Sequence, residues 1–136
     1  AVNEGKVIVH GGEQMRPSID IQDITDYYAE MLRLPSEKIG GQVFNASCDN
    51  YSVRQIAETV CKIVGKNIIM EVQDTKDLRS YPMVSEKIKR VLGFSPKYSL
   101  ENTIEGLKEA FGRGDIPNPS NIIYRNIETM NKFQFK

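Results

Sequence analysis

Two arginines stand at positions where a guanidinium can be held ready to bind an oxyanion. Arg16 follows the Gly11-Gly12 turn and immediately precedes Pro17, at the start of a short alternating segment. Arg79 lies in the polar segment 73–83, QDTKDLRSYPM. A guanidinium presents a planar fork of N–H donors that matches the oxygens of a carboxylate or a phosphate. Holding that fork beside a turn and a strand lowers the entropy that is lost on binding.

Other catalytic and metal-binding patterns are missing from the sequence. The chain has one histidine, His10, and its two cysteines, Cys48 and Cys61, form no C-x-x-C pair, so no zinc site is predicted. We interpret the cysteines as reduced structural thiols of a cytoplasmic protein. There is no Walker loop, no G-x-S-x-G elbow, no H-E-x-x-H helix and no G-x-G-x-x-G fingerprint for a dinucleotide. Asp74 and Asp77 are interpreted as solvated turn residues rather than as a hydrolytic dyad.

Composition indicates a globular protein with one ordinary core. Its 136 residues suffice for one domain, and 40% of them are hydrophobic. Eighteen basic and eighteen acidic side chains give a formal net charge of zero, which argues against a nucleic-acid footprint or an anchor to an anionic membrane. No apolar run approaches the roughly 20 residues of a membrane span. The first ten residues also lack the pattern of a signal peptide.

Strands and helices are predicted to alternate along the chain. Short strands are predicted from β-branched or alternating runs at 6–10, 17–21, 40–47 and 67–72. Helices are predicted from a 3.6-residue apolar period behind the capping residues Asp23, Ser52, Ser85 and Ser99.

The fold class predicted from this order is α/β, with α+β character for the chain taken alone. In the strand at 40–47, Val43 and Phe44 form too continuous an apolar pair for an exposed edge. The segment 115–136 is predicted to be an extended C-terminal tail, partly disordered at its end.

Three stretches, in chain order, resemble motifs of one known family. The first contains Gly12, Arg16-Pro17 and Asp23, and the second is GGQVFNAS (40–47) followed by a helix. The third is DLRSYPMVSEKIKRVLGFSPKYSLENTIEGL (77–107). Together they resemble the extended short-chain dehydrogenase/reductase family, which comprises the nucleotide-sugar epimerases and dehydratases. The resemblance identifies residues 1–114 as the C-terminal, substrate-binding lobe of an NAD-dependent epimerase/dehydratase.

The resemblance also implies that much of the catalytic machinery lies outside this sequence. Members of the family carry a Rossmann domain with a glycine fingerprint, and a Tyr-x-x-x-Lys pair performs the chemistry. None of the six tyrosines here has a lysine four residues later: Tyr27, Tyr28, Tyr51, Tyr81, Tyr98 and Tyr124. We therefore expect no catalytic residue and no cofactor in this chain, which is predicted to be inactive alone. The complete enzyme is expected to use NAD or NADP, bound by the missing N-terminal Rossmann domain.

Three residues are implied as substrate-binding. In the resemblance, Arg16 and Arg79 bind the diphosphate of a nucleotide-sugar, and Asn45, at the end of a predicted strand, is a third candidate. Ser18 and Asp20 stand where the family commonly has an aromatic residue and then a His or Tyr, which puts in doubt any contact made through those side chains. The alternatives stay open at this point: the arginines can be solvated surface residues, and Asn45 can cap a turn.

Two other functions are compatible with parts of the sequence. A non-catalytic interaction or oligomerisation module would also lack a catalytic group. The segment 52–60, SVRQIAETV, resembles the first helix of a DNA-binding helix-turn-helix. A predicted strand follows it instead of a basic recognition helix, and the net charge is zero, which argues against DNA binding. We expect a nucleotide-sugar as ligand, no nucleic acid and no membrane. A homo-oligomer, such as a dimer, is expected because surfaces left uncovered by the missing domain favour self-association. Isomerase, lyase and reductase activities are not distinguished.

Overall fold

Short strands alternate with helices along the chain. The computed structural model describes residues 1–2, 4–65 and 67–133. The elements are β1 (Lys6–His10), β2 (Met15–Ser18), α1 (Ile21–Met31), α2 (Ser36–Ile39), β3 (Asp49–Ser52), α3 (Val53–Val64), β4 (Ile69–Gln73), α4 (Glu86–Leu92), α5 (Leu100–Arg113), a 3-10 helix (Ile122–Tyr124) and α6 (Asn126–Phe133).

The strands form two separate pairs, one parallel and one antiparallel. β1 and β4 are parallel, with Lys6 opposite Ile69. A parallel pair requires a long crossover connection, and α3 lies in that connection and packs on both strands. β2 and β3 are antiparallel, with Arg16 opposite Tyr51. This mixed architecture confirms the predicted α/β class.

The core forms around α3, which packs against both α5 and β1. Both helices begin with a capping box: Ser52 and Gln55 exchange hydrogen bonds at the start of α3, and Ser99 and Asn102 do so at the start of α5. These reciprocal bonds satisfy backbone N–H groups that a helix leaves unpaired, and they fix where each helix begins. The buried apolar residues are Val9, Tyr27, Ala57, Ile88, Leu100 and Ile104.

Helix α1 begins earlier than the sequence predicts. Its N-cap is Asp20, whose carboxylate accepts the backbone N–H of Gln22 at 2.7 Å. The predicted cap, Asp23, lies inside the first turn instead. Because the helix starts at Ile21, the strand predicted over 17–21 is displaced to Met15–Ser18.

The prediction of a strand over 40–47 is wrong. Residues 42–47 form no strand, and the side chain of Val43 is 78% exposed. Strand β3 comes later, at Asp49–Ser52. An extended segment becomes a strand only when a neighbour supplies backbone hydrogen bonds, and no strand in the described ranges lies beside 42–47.

The segment after α5 contains helical turns rather than a fully extended arm. Gly114, with φ of +81°, ends α5 by donating its N–H to carbonyls of the last turn. The 3-10 helix and α6 follow, so the prediction of an extended tail is wrong for 122–133. An ion pair between Arg125 and Glu128 lies at the start of α6. Residues 134–136, where disorder is predicted, lie outside the described residues. No helix within the described ranges has the length and apolar character needed to cross a membrane.

Candidate functional site

Strand β2 holds Arg16 against the loop that follows β4. Two hydrogen bonds to the backbone of Met15 fix this contact. The Met15 N–H donates to Ser80 Oγ at 3.0 Å, and the Tyr81 N–H donates to the Met15 carbonyl at 3.3 Å. On the neighbouring strand β3, the Asn50 side chain donates to and accepts from the backbone of Met83. The loop 77–85 is therefore fastened to both β2 and β3 along its length.

The guanidinium of Arg16 is held on one edge and left open on the other. Its Nη1 donates to the carbonyls of Met15 at 3.0 Å and Arg79 at 2.6 Å. Its Cζ lies 4.5 Å from the centroid of the Tyr81 ring, a cation–π contact that restrains the plane of the group. In the described part of the chain, Nε and Nη2 have no hydrogen-bond acceptor. This open edge carries the two parallel N–H donors that bind an oxyanion in bidentate fashion.

The guanidinium of Arg79 is paired with a neighbouring carboxylate. Its Nε and Nη2 donate to the two oxygens of Asp77 at 2.8 and 2.7 Å. The Arg79 backbone N–H also donates to Asp77, at 3.1 Å. Hydrogen bonds from the Arg79 side chain and then its backbone hold the pKa of Asp77 well below its ordinary range, and the charge of Arg16 lowers it further. Asp77 is thus a partly exposed turn residue, as interpreted from the sequence, and its carboxylate is also paired with Arg79.

Gln14 positions this loop, and sequence reasoning missed it. The residue is buried at 7% exposure, and its Nε2 donates to the Asp77 carbonyl at 2.9 Å and to the His10 carbonyl at 3.2 Å. Its Oε1 accepts the Gly12 N–H at 2.7 Å. A polar residue two positions before Arg16 was the available signal, but only the fold shows that its amide joins the 10–12 turn to the backbone of Asp77.

Asn45 lies near the far end of the same loop. Its Nδ2 donates to the Val84 carbonyl at 3.4 Å. Nearby, Ser47 N–H donates to Ser85 Oγ at 2.8 Å. The structure thus brings Arg16 into direct contact with Arg79, whereas the bond from Asn45 reaches the loop five residues beyond Arg79.

The glycine turn of this chain does not fit a dinucleotide. Gly11 and Gly12 join two strands, whereas a pyrophosphate site needs a turn between a strand and a helix. The space beside the turn is also filled, since a Cβ on Gly11 would lie 2.5 Å from Gln14 Nε2 and 2.6 Å from Thr75 Cγ2. Within the described ranges there is likewise no group of three or more potential metal ligands.

Comparison with solved structures identifies the fold. The chain matches part of a UDP-glucose 4-epimerase from Thermotoga maritima with UDP-glucose, with a TM-score of 0.64, 24% identity and coverage of 79% of this chain and 35% of that chain. It matches part of a dTDP-glucose 4,6-dehydratase from Bacillus anthracis in complex with NAD, with a TM-score of 0.65, 17% identity and coverage of 81% of this chain and 35% of that chain. It also matches part of an L-threonine dehydrogenase from Phytophthora infestans, with a TM-score of 0.72, 10% identity and coverage of 83% of this chain and 38% of that chain. The chain has the fold of a part of these enzymes.

The match covers only part of each solved structure. The chain spans 35–42% of the length of the matched structures. The resemblance seen in the sequence motifs is therefore confirmed as a shared fold that covers a portion of a larger architecture. No family model and no curated protein sequence matches the chain.

Proposed function

We propose that this chain is the C-terminal, substrate-binding portion of a cytoplasmic, NAD(P)-dependent nucleotide-sugar epimerase or dehydratase. In this proposal Arg16 and Arg79 bind the diphosphate of the substrate. The observation that carries the proposal is the state of Arg16: one edge of its guanidinium is fixed to two backbone carbonyls and the other is open. A fork held in this way binds phosphate oxygens without first having to be ordered.

The position of the second arginine supports a diphosphate as the ligand. The Arg16 side chain touches the backbone of Arg79, so the two cations belong to one surface region. Two adjacent phosphates offer one charged group to each of two guanidinium groups, whereas a neutral sugar carries no charge and a neutral amino acid such as threonine carries a single carboxylate. The fold alone does not select the substrate, because an L-threonine dehydrogenase shares it. The arginine pair is the reason to favour a nucleotide-sugar.

Uncovered apolar surface supports the idea that a further domain completes the enzyme. Ile21, Tyr28 and Leu32 follow one another at spacings of seven and four residues, which places them on one side of α1, and all three are exposed. Val43 is exposed as well. We infer that a preceding cofactor-binding domain covers this surface, binds NAD or NADP and contributes the catalytic groups. The alternative, a non-catalytic interaction module, would use the same surface for another protein.

Substitution of Arg16 in the full-length protein tests the proposal. Arg16→Ala is expected to weaken the binding of UDP-glucose or dTDP-glucose, measured by calorimetry, by about 1.5–3 kcal/mol, the range for a hydrogen bond to a charged group. Arg16→Lys is expected to restore only part of the loss, because an ammonium keeps the charge but lacks the fork.

Two controls accompany this experiment. Arg33→Ala removes an exposed arginine at the other end of α1 and should leave nucleotide-sugar affinity unchanged. The affinity for NAD should be the same in all variants. If Arg16→Ala binds nucleotide-sugars as tightly as the parent protein, the assignment of Arg16 is wrong.

A further inference from the structure

We propose that the Asp77 carboxylate competes with a phosphate ligand for the Arg79 guanidinium. The phosphate must displace Asp77 before Arg79 can bind the phosphate. The inference rests on the proposed function, since the ligand concerned is the diphosphate assigned to Arg16 and Arg79. Asp77 thereby lowers the affinity of this site for the diphosphate.

The two arginines differ in the edge they offer to a ligand. In Arg16 the Nε and Nη2 edge is open in the described part of the chain. In Arg79 the same edge is closed by the two oxygens of Asp77, at 2.8 and 2.7 Å. A carboxylate bound in this way places its oxygens where two phosphate oxygens would lie in a bidentate complex. A ligand therefore meets one open fork and one that is already filled.

Displacement of Asp77 requires only side-chain movement. The side chain of Arg79 is 80% exposed, and exposed ion pairs hold their geometry weakly. The Asp77 carboxylate can keep the bond from the Arg79 backbone N–H when the Arg79 side chain moves away, and other bonds also hold the loop backbone. Gln14 donates to the Asp77 carbonyl and Met15 donates to Ser80 Oγ, so the loop keeps its place when the two side chains separate.

The cost of displacement predicts that removing the charge of Asp77 will strengthen binding. Asp77→Asn removes the competing carboxylate but keeps an oxygen that accepts the Arg79 backbone N–H, so the turn is retained. Asp74→Asn is the matched control, because it makes the same change in net charge three residues earlier in the same loop and does not contact Arg79 in the described part of the chain.

The experiment measures pyrophosphate and UDP-glucose binding to the full-length protein by calorimetry at one fixed ionic strength. Asp77→Asn is expected to bind pyrophosphate about two- to fivefold more tightly than the parent, the scale of an exposed ion pair. Asp74→Asn should bind it as the parent does. In an Arg79→Ala background, Asp77→Asn should have a much smaller effect, because the guanidinium that Asp77 occupies is gone and only the longer-range effect of its charge on Arg16 remains.

The other outcomes refute the competition by Asp77, the proposed nucleotide-sugar function, or both. The inference is overturned if Asp77→Asn does not strengthen binding, if Asp74→Asn strengthens it equally, or if the gain persists undiminished without Arg79. In those cases binding that still depends on Arg16 keeps the proposed function intact. Tighter pyrophosphate binding by Asp77→Asn with no binding of UDP-glucose would uphold the inference and contradict the nucleotide-sugar proposal. Failure of every variant and of the parent protein to bind either probe would overturn both.

Discussion

At the scale of single residues, Tyr81 controls the orientation of the Arg16 guanidinium. The ring lies 4.5 Å from the Arg16 Cζ while the hydrogen bonds from Nη1 hold one edge. Tyr81→Leu is expected to weaken nucleotide-sugar binding about two- to fivefold, because exposed cation–π contacts contribute about 0.5–1 kcal/mol. Tyr81→Phe retains the ring and should bind as the parent does. Calorimetry on the three full-length proteins measures the difference, and equal losses for Phe and Leu would show that the hydroxyl matters instead of the ring.

At the scale of elements, Asp23 joins α1 to the segment that leads into α5. It is buried at 1% exposure, and its carboxylate accepts the backbone N–H groups of Lys97 and Tyr98 at 3.0–3.1 Å. Asp23→Ala leaves these donors without an acceptor, so the free energy of unfolding should fall by about 1–3 kcal/mol. Urea denaturation of the chain measures this loss.

A matched substitution on the same helix separates this role from a surface charge effect. Asp26→Ala removes an exposed carboxylate whose partner is the Lys97 ammonium, at 2.9 Å. Exposed ion pairs contribute little, so the loss of stability should be much smaller than for Asp23→Ala. Similar losses for both variants would contradict the structural role assigned to Asp23.

At the scale of the whole molecule, the uncovered side of α1 predicts self-association of this chain when it is produced alone. Leu32 is 89% exposed and lies in line with Ile21 and Tyr28. Burying a leucine contributes about 1.5–3 kcal/mol, so Leu32→Lys should weaken dimerisation about tenfold or more. Sedimentation velocity over a range of protein concentrations measures the change.

The control for this prediction must alter charge without altering the apolar side. Glu30→Gln changes the net charge by the same amount at an exposed position of α1. It should leave the dimerisation constant unchanged. A parent chain that stays monomeric at high concentration, or equal effects of the two substitutions, would show that this side of α1 does not mediate association.

The sequence by itself determined the features that depend on local rules. β1, the capping box of α3 and the start of α5 at Ser99 each follow from a few adjacent residues. The capped helix ends satisfy their backbone groups within the same short segment, so no distant contact is needed to predict them. β1 is predicted from its β-branched alternation, although its hydrogen bonds go to β4. The sequence also placed Arg16 beside a strand and Arg79 in a polar loop.

Only the tertiary structure decided which residues meet across the fold. Asp20 caps α1, and Asp23 instead binds a segment more than 70 residues away, because either aspartate satisfies the local pattern and burial selects between them. Val43 lies in no strand, since a strand depends on a neighbour that local sequence does not specify. The held and open edges of the Arg16 guanidinium likewise follow from where the loop 77–85 lies against β2. Such contacts depend on distances between segments, which no short stretch of sequence contains.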